Sequence, residues 1–262
     1  MRFDGIIFDL DGTVYRGDRI VPGAPAAVEQ ARAAGSNVLF LSNNPTKRPP
    51  EYADRLTEFG IPTDDEDVLN SAAITAEWLE ANHPDRPALV VGEQPLVAEL
   101  EDAGITVTRD PRRTEIVVVS MDRSFDYETL QLALEAVDDE TLFVATNPDR
   151  TCPVEDGEIP DAAGMIGAIE GVTGRSLDRV LGKPSSTAVE IATTRMGCTP
   201  ERCLLVGDRL ETDIEMGVRS GMTTALVLTG ASDETDLASA PYEPNYVFDS
   251  IVDLPELLSV GG

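Results

Sequence analysis

The chain of 262 residues carries 48 Asp+Glu against 20 Lys+Arg, a formal net charge of −28 at pH 7. That charge repels nucleic acid and anionic membrane surfaces, so neither is an expected partner. A hydrophobic fraction of 42% excludes general disorder, and no apolar run approaches the ~18–20 residues a membrane helix needs.

Residues 3–9 (FDGIIFD) read as a buried strand, and acids inside this stretch argue against a secretory signal. Residues 22–35 form a helix pattern with Pro near its start and Gly35 at its end, followed by a strand at 37–42 (NVLFLS). Helical patterns follow at about 48–60 and 71–82. A second alternation begins with strand 88–92, helix 94–103, strand 115–120, helix 127–137, strand 141–146 and a helix near 161–173. A helix around 186–196, strand 203–207 (CLLVG), helix 212–220 and strand 224–228 come next, with a short strand near 245–248 and a last helical turn. Strands alternating with helices imply a mostly parallel sheet covered on both faces, an α/β fold. The Pro-containing stretch 83–87 and the Gly182–Pro184 region bracket a middle piece of about 100 residues, large enough to be a domain.

Residue usage narrows the chemistry. Cys152, Cys198 and Cys203 make an odd count without a CxxC pair, so neither a disulfide framework nor a zinc knuckle is expected. The single histidine, His83, lies in a polar, Pro-flanked stretch and reads as a loop residue. Serine-triad chemistry therefore has nothing to work with, and carboxylates are the available reagents. Only two basic residues are lysines, Lys47 and Lys183. An acid-rich, lysine-poor chain suits a cytoplasm of very high salt, where the Debye length falls to ~3 Å at 1 M. A halophilic, cytoplasmic source is the expectation; a merely acidic mesophilic protein is the alternative.

Four sites carry candidate chemistry. Asp9-Leu10-Asp11-Gly12-Thr13 ends the first strand, where open parallel sheets bind ligands. Two acids there can converge on an oxygen-loving cation, although an acidic turn is common in such a chain. Ser42-Asn43-Asn44 ends the second strand and offers a hydroxyl and backbone N–H to phosphate oxygens, or serves as an ordinary helix cap. Gly182-Lys183-Pro184-Ser185 supplies a point charge that could meet a phosphate or simply face solvent. Gly207-Asp208-Arg209-Leu210-Glu211-Thr212-Asp213 follows the strand CLLVG. Asp208 can complete a magnesium shell, and Asp213 reads equally as a helix cap or a support for that shell.

Together, DLDGTVYRG at 9–17, LSNN at 41–44, GKPS at 182–185 and GDRLETD at 207–213 resemble the four ordered motifs of the haloacid dehalogenase (HAD) superfamily. The large insertion between the second and third motifs, with TNPDRTCPVEDGEIPDAAG at 146–164, resembles the NagD-like p-nitrophenyl phosphatase branch. The resemblance implies a Rossmann-like parallel-sheet core over 1–82 plus 181–262, and an inserted α/β cap domain over 83–180. It implies a Mg²⁺-dependent phosphomonoester hydrolase acting on a small phosphorylated metabolite of the sugar phosphate, phosphoglycolate or nucleotide type, and on p-nitrophenyl phosphate.

By the same resemblance, Asp9 is the nucleophile that becomes an aspartyl-phosphate, and Asp11 is the general acid and then base. Mg²⁺ is held by Asp9, the Asp11 backbone carbonyl and Asp208. Ser42, the Asn43 N–H and Lys183 hold the phosphate oxygens. Asp213 and Thr13 support these groups from behind, with Asp213 orienting Lys183 or metal-bound water. Like-charged carboxylates at 4 Å and an effective dielectric of 20 repel by about 4 kcal/mol per pair, so turnover without a divalent cation is not expected. The strand end near Met121–Phe125 and the loop Asn147–Cys152 are candidate specificity positions, or ordinary loop packing. The cap is also a candidate element for homo-oligomer formation. Two rivals remain in view: a receiver-like phospho-Asp signalling protein, disfavoured by Asp11 and the insertion, and a metal-independent haloacid dehalogenase, disfavoured by the GD…TD motif. A non-catalytic relative ranks below both, because all expected catalytic side chains are present.

Overall fold

The computed structural model describes residues 3–154 and 157–259. By packing, the chain forms two compact units: Met1–Ser42, Pro49–Leu69 and Ala188–Gly262, and then Asn43–Arg48 with Asn70–Thr187.

In chain order, the first segment holds β1 (Gly5–Phe8), a hairpin of β2 (Tyr15–Arg16) and β3 (Arg19–Ile20), α1 (Ala24–Ala33), β4 (Asn37–Ser42), α2 (Pro49–Glu58), β5 (Val68–Asn70) and α3 (Ser71–Asn82). The middle holds β6 (Ala88–Val91), α4 (Gln94–Asp102), β7 (Ile116–Val119), α5 (Tyr127–Ala136), β8 (Leu142–Ala145), β9 (Thr151–Val154), β10 (Gly157–Pro160), α6 (Ala162–Thr173) and β11 (Arg179–Val180). The last segment holds α7 (Ser186–Met196), β12 (Cys203–Gly207), α8 (Glu215–Ser220), β13 (Thr223–Val227), α9 (Glu234–Leu237), β14 (Tyr246–Phe248) and α10 (Leu254–Ser259).

Among the described residues, the first unit is built on a six-stranded sheet of order β14-β13-β12-β1-β4-β5. β1 runs parallel to both neighbours, with Gly5 to Phe8 opposite Cys203 to Val206 on one side and Asn37 to Phe40 on the other. The strands are apolar on both faces because helices cover both. Ile6, Phe8, Phe40, Leu204 and Val206 pack against Ala27, Val28 and Ala31 of α1 and Tyr52 and Leu56 of α2. On the other face, Leu226 packs against Leu210 and Ile214. Strand order reverses at β1, the place where open α/β sheets leave a crevice at their carboxyl ends.

The second unit has its own four-stranded sheet of order β11-β8-β7-β6, whose paired strands run parallel. Val117, Val119, Phe143, Met165 and Ile169 form its separate core. An antiparallel hairpin, β9 and β10, stands beside the sheet order as its own ladder. The sheet and elements are the α/β arrangement expected from the alternation of patterns. Some details differ from it. The short ladders β2–β3 and β9–β10, and the short edge strands β5 and β11, were not legible as strands. The stretch expected to be a helix from 212 begins as a π-helical turn, Leu210–Ile214, before α8 continues it.

Candidate active site

The acidic end of the sheet grows out of strand geometry. β1 ends at Phe8, and Asp9 N–H continues the ladder by donating to Val206 O at 2.9 Å. The chain then leaves the sheet in a tight turn, with Val14 N–H donating to Leu10 O at 2.9 Å. Gly12 sits in this turn at φ +95°, a conformation that L side chains rarely adopt. One strand over, β12 delivers Asp208 to the same edge. The π-helical turn then folds Asp213 back, so that its Oδ2 accepts from Arg209 N–H at 3.2 Å. Asp213 thus lies inside the turn and does not cap α8, whose N-cap is Ile214.

These folds bring the carboxylates of Asp9, Asp208 and Asp213 together. Each offers an oxygen within 4.8 Å of the others, and all three are buried. Glycine makes room for them. A Cβ on Gly12 or Gly230 would collide with the Asp208 carboxylate, and one on Gly207 with that of Asp213. The Gly230–Ala231 stretch after β13 is a feature the sequence reading missed: Ala231 N–H donates to Asp208 Oδ2 at 2.6 Å. Thr229 Oγ1 donates to Gly12 O at 2.6 Å, tying the turns after β1 and β13 together.

The donor set fits a hard divalent cation. Buried carboxylates are stable only when paired or metal-bound, and three converging oxygens suit Mg²⁺, which needs one or two protein carboxylates beside phosphate and water. Thr13 is fully buried, and its Oγ1 has no hydrogen-bond partner among the described residues. Tyr15, close by in chain and structure, is also buried, and burial with the nearby Asp11 pushes its phenol well above the ordinary range. Ser42, the last residue of β4, is buried at the carboxyl edge of its strand, beside β1 in the sheet.

The second unit holds the remaining expected groups around Asn43. Its side chain closes a pair of hydrogen bonds with Lys183: Lys183 N–H donates to Asn43 Oδ1 at 2.8 Å, and Asn43 Nδ2 donates to Lys183 O at 3.0 Å. Asn43 Nδ2 also donates to Asp149 Oδ2 at 3.0 Å. The Asn43 carbonyl accepts from Ser71 Oγ at 2.6 Å and from Asn147 Nδ2 at 3.1 Å. Gly182 permits this approach, because a Cβ there would strike Thr146 O and Asn43 Oδ1. Lys183 is 2% exposed, a burial an ammonium tolerates only with partners, so the solvent-facing alternative for this lysine does not hold. The Asn147–Cys152 loop is tied to Asn43 through Asn147 and Asp149. Met121 is buried, and Asp122 turns the 121–125 stretch by accepting from Ser124 N–H at 2.8 Å.

Comparison with known proteins identifies the family. A family model described as haloacid dehalogenase-like hydrolase matches residues 6–106, and a second, HAD-hydrolase-like, matches 180–254. Sugar-phosphatase AraL of Bacillus subtilis is 39% identical over 98% of this chain and 94% of the relative. The chain belongs to the haloacid dehalogenase-like hydrolases. The 4-nitrophenylphosphatase of Thermotoga maritima superposes with a TM-score of 0.92 at 31% identity, covering 98% of each chain. NagD of E. coli K-12 does so with 0.88 at 31% identity, covering 97% of this chain and 98% of that one. The protein is thus a NagD-like HAD phosphatase, a phosphoric monoester hydrolase, with the α/β core and cap architecture of that group. No helix among the described residues of this phosphatase is long and apolar enough to cross a membrane.

Proposed function

We propose that this phosphatase hydrolyses a small phosphorylated metabolite, of the sugar phosphate type, through an aspartyl-phosphate on Asp9. The observation that carries the reading is the buried convergence of Asp9, Asp208 and Asp213 at the carboxyl edge of β1 and β12. The resemblance to a sugar-phosphatase over nearly the whole chain supports the substrate class.

Asp9 attacks the phosphorus, the bond to the ester oxygen breaks, and Asp11 gives that oxygen its proton. Asp11, now a carboxylate, takes a proton from water as the water attacks the acyl-phosphate, which frees Asp9 and inorganic phosphate. Asp9, the Asp11 carbonyl and Asp208 are the residues proposed to hold Mg²⁺. When bound, that ion offsets the charge shared by nucleophile and phosphate. Ser42, the Asn43 N–H and Lys183 hold the equatorial oxygens, which is the positioning phosphoryl transfer mainly requires. Thr13 and Asp213 support these groups from behind, with Asp213 orienting Lys183 or metal-bound water.

Residues 83–180 serve as the cap on a core of 1–82 and 181–262, with Met121–Phe125 and Asn147–Cys152 choosing the substrate. The cap is also the element proposed for self-association. A cytoplasm of molar salt is the proposed setting, supported by the net charge of −28 and the use of only two lysines.

Release of p-nitrophenol in molar KCl, with Mg²⁺ or with EDTA, tests the reading. Metal-dependent release that Asp9→Asn abolishes is the expected result. Equal release with EDTA, or in the Asp9→Asn variant, would refute it.

A further inference from the structure

At the far edge of the same sheet, two of the cysteines that the sequence assigns to no CxxC pair meet. Cys198, in the loop after α7, and Cys203, the first residue of β12, bring their sulfurs to 2.8 Å. A 3₁₀ turn over Pro200–Arg202 folds the chain between them. Gly5 of β1, in register with Cys203, leaves the space they occupy, and its missing Cβ would lie within 3.2 Å of both sulfurs. Cys203 is fully buried, whereas Cys198 is partly open to solvent.

We propose that Cys198 and Cys203 form a peroxide-responsive dithiol site that closes reversibly to a disulfide. Cys198 is the entry point because it is the reachable sulfur. Hydrogen peroxide converts its thiol to a sulfenic acid and releases one water. The Cys203 sulfur then attacks the Cys198 sulfur, the S–O bond breaks, and a second water leaves with the Cys203 proton. Two thiols have given up two electrons, and one peroxide has become two waters. Burial and the adjacent Cys198 push the Cys203 thiol up, so Cys203 suits the second, intramolecular step, where contact replaces thiolate reactivity. Closure needs little chain movement, since the sulfurs are already near the ~2.05 Å of an S–S bond.

The site is remote from the carboxylates. Gly5 and Asp9 are four strand residues apart, about 13 Å at ~3.3 Å per residue. Oxidation is therefore expected to fasten the loop after α7 to β12 while leaving hydrolysis intact. The third cysteine, Cys152, belongs to the other unit and does not take part.

The test counts thiols on the full chain. The protein is treated with hydrogen peroxide, freed of it with catalase, denatured, alkylated with N-ethylmaleimide and weighed intact. The Cys152→Ser variant should lose both remaining alkylation sites and regain them after dithiothreitol, as a monomer on a non-reducing gel. Cys198→Ser should retain its Cys203 adduct after the same treatment, as should Cys203→Ala its Cys198 adduct once dithiothreitol is applied. Undiminished alkylation of the Cys152→Ser protein, a loss that dithiothreitol does not reverse, or disulfide-linked dimers would overturn the proposal.

Discussion

At the scale of single residues, the acidic site depends on what surrounds the acids as much as on the acids. Asp213 touches the Arg209 N–H and takes up the space that Gly207 leaves. It is proposed to orient groups rather than to react. Asp213→Asn should therefore keep the fold and weaken divalent-cation affinity or activity by about 10–100-fold, the usual range for such partners; a titration of p-nitrophenyl phosphate hydrolysis with Mg²⁺ reads it. Asn43→Ala leaves the backbone N–H in place but removes the side-chain bonds to Lys183 and Asp149. The buried Lys183 N–H then loses its partner, which costs about 1–3 kcal/mol. Urea unfolding should show that loss, and kcat should fall; an unchanged kcat would reduce Asn43 to a backbone ligand.

Three of the four motifs were readable because each ends or follows a run of apolar strand residues of one sheet, so strand periodicity already placed Asp9, Ser42 and Asp208 on one sheet edge. The fourth, GKPS, follows the two-residue β11 of the other sheet and stood out by the rarity of lysine in the chain. The Asn43 side-chain hub was not readable, since its partners lie at 147, 149 and 183, joined only by folding. Nor was the Ala231 donor to Asp208, because a backbone N–H leaves no mark on residue type. The Cys198–Cys203 contact was passed over for its spacing, which fits no metal or redox motif; the 3₁₀ turn between the two is what closes it.

At the scale of elements, capping and clamping fix the loops that carry the site. Asn70 ends β5 and caps α3, accepting from Ala73 N–H at 2.9 Å while donating to Lys47 O at 2.7 Å. One side chain thus closes a helix start and holds the segment after Asn43. Asn70→Ala should cost about 1–2 kcal/mol from the cap alone, more where the Lys47 carbonyl is left unsatisfied, measured as a shift in the urea midpoint. Arg55 of α2 clamps the β2–β3 hairpin: it donates to Gly17 O, pairs with Asp18 Oδ1 at 3.1 Å, and lies over the Tyr15 ring at 4.3 Å. Asp18 is exposed, so the ion pair itself contributes little. The ring contact and the carbonyl bond do more to hold the hairpin. Arg55→Ala should accelerate amide hydrogen exchange across Tyr15–Ile20 with little change in global stability. Equal exchange would show that the turn at Leu10–Val14 holds the hairpin unaided. The hairpin escaped the sequence reading because its strands are two residues long, too short to show any period. The longer strands and helices were legible because their burial spans whole turns and pleats.

At the scale of the molecule, charge dominates. A chain at −28 repels itself in dilute buffer, where the Debye length is ~30 Å at 0.01 M, and far less at 1 M, where it is ~3 Å. The buried carboxylate cluster adds to that self-repulsion until a cation is bound. Stability should therefore rise steeply with KCl, read as the urea midpoint across a salt series. A flat series would make the acidity an ordinary surface property and remove the case for a saline cytoplasm.

The central claim is that Asp9 forms the covalent intermediate while Asp11 moves the protons. Its most direct test is peptide mapping of the Asp11→Asn variant, acid-quenched during reaction with p-nitrophenyl phosphate and Mg²⁺. That leaving group departs without a proton, whereas the second step needs a base, so phosphate should accumulate on the peptide holding Asp9. Phosphate on another residue, or steady turnover with no covalent phosphate, would contradict the account.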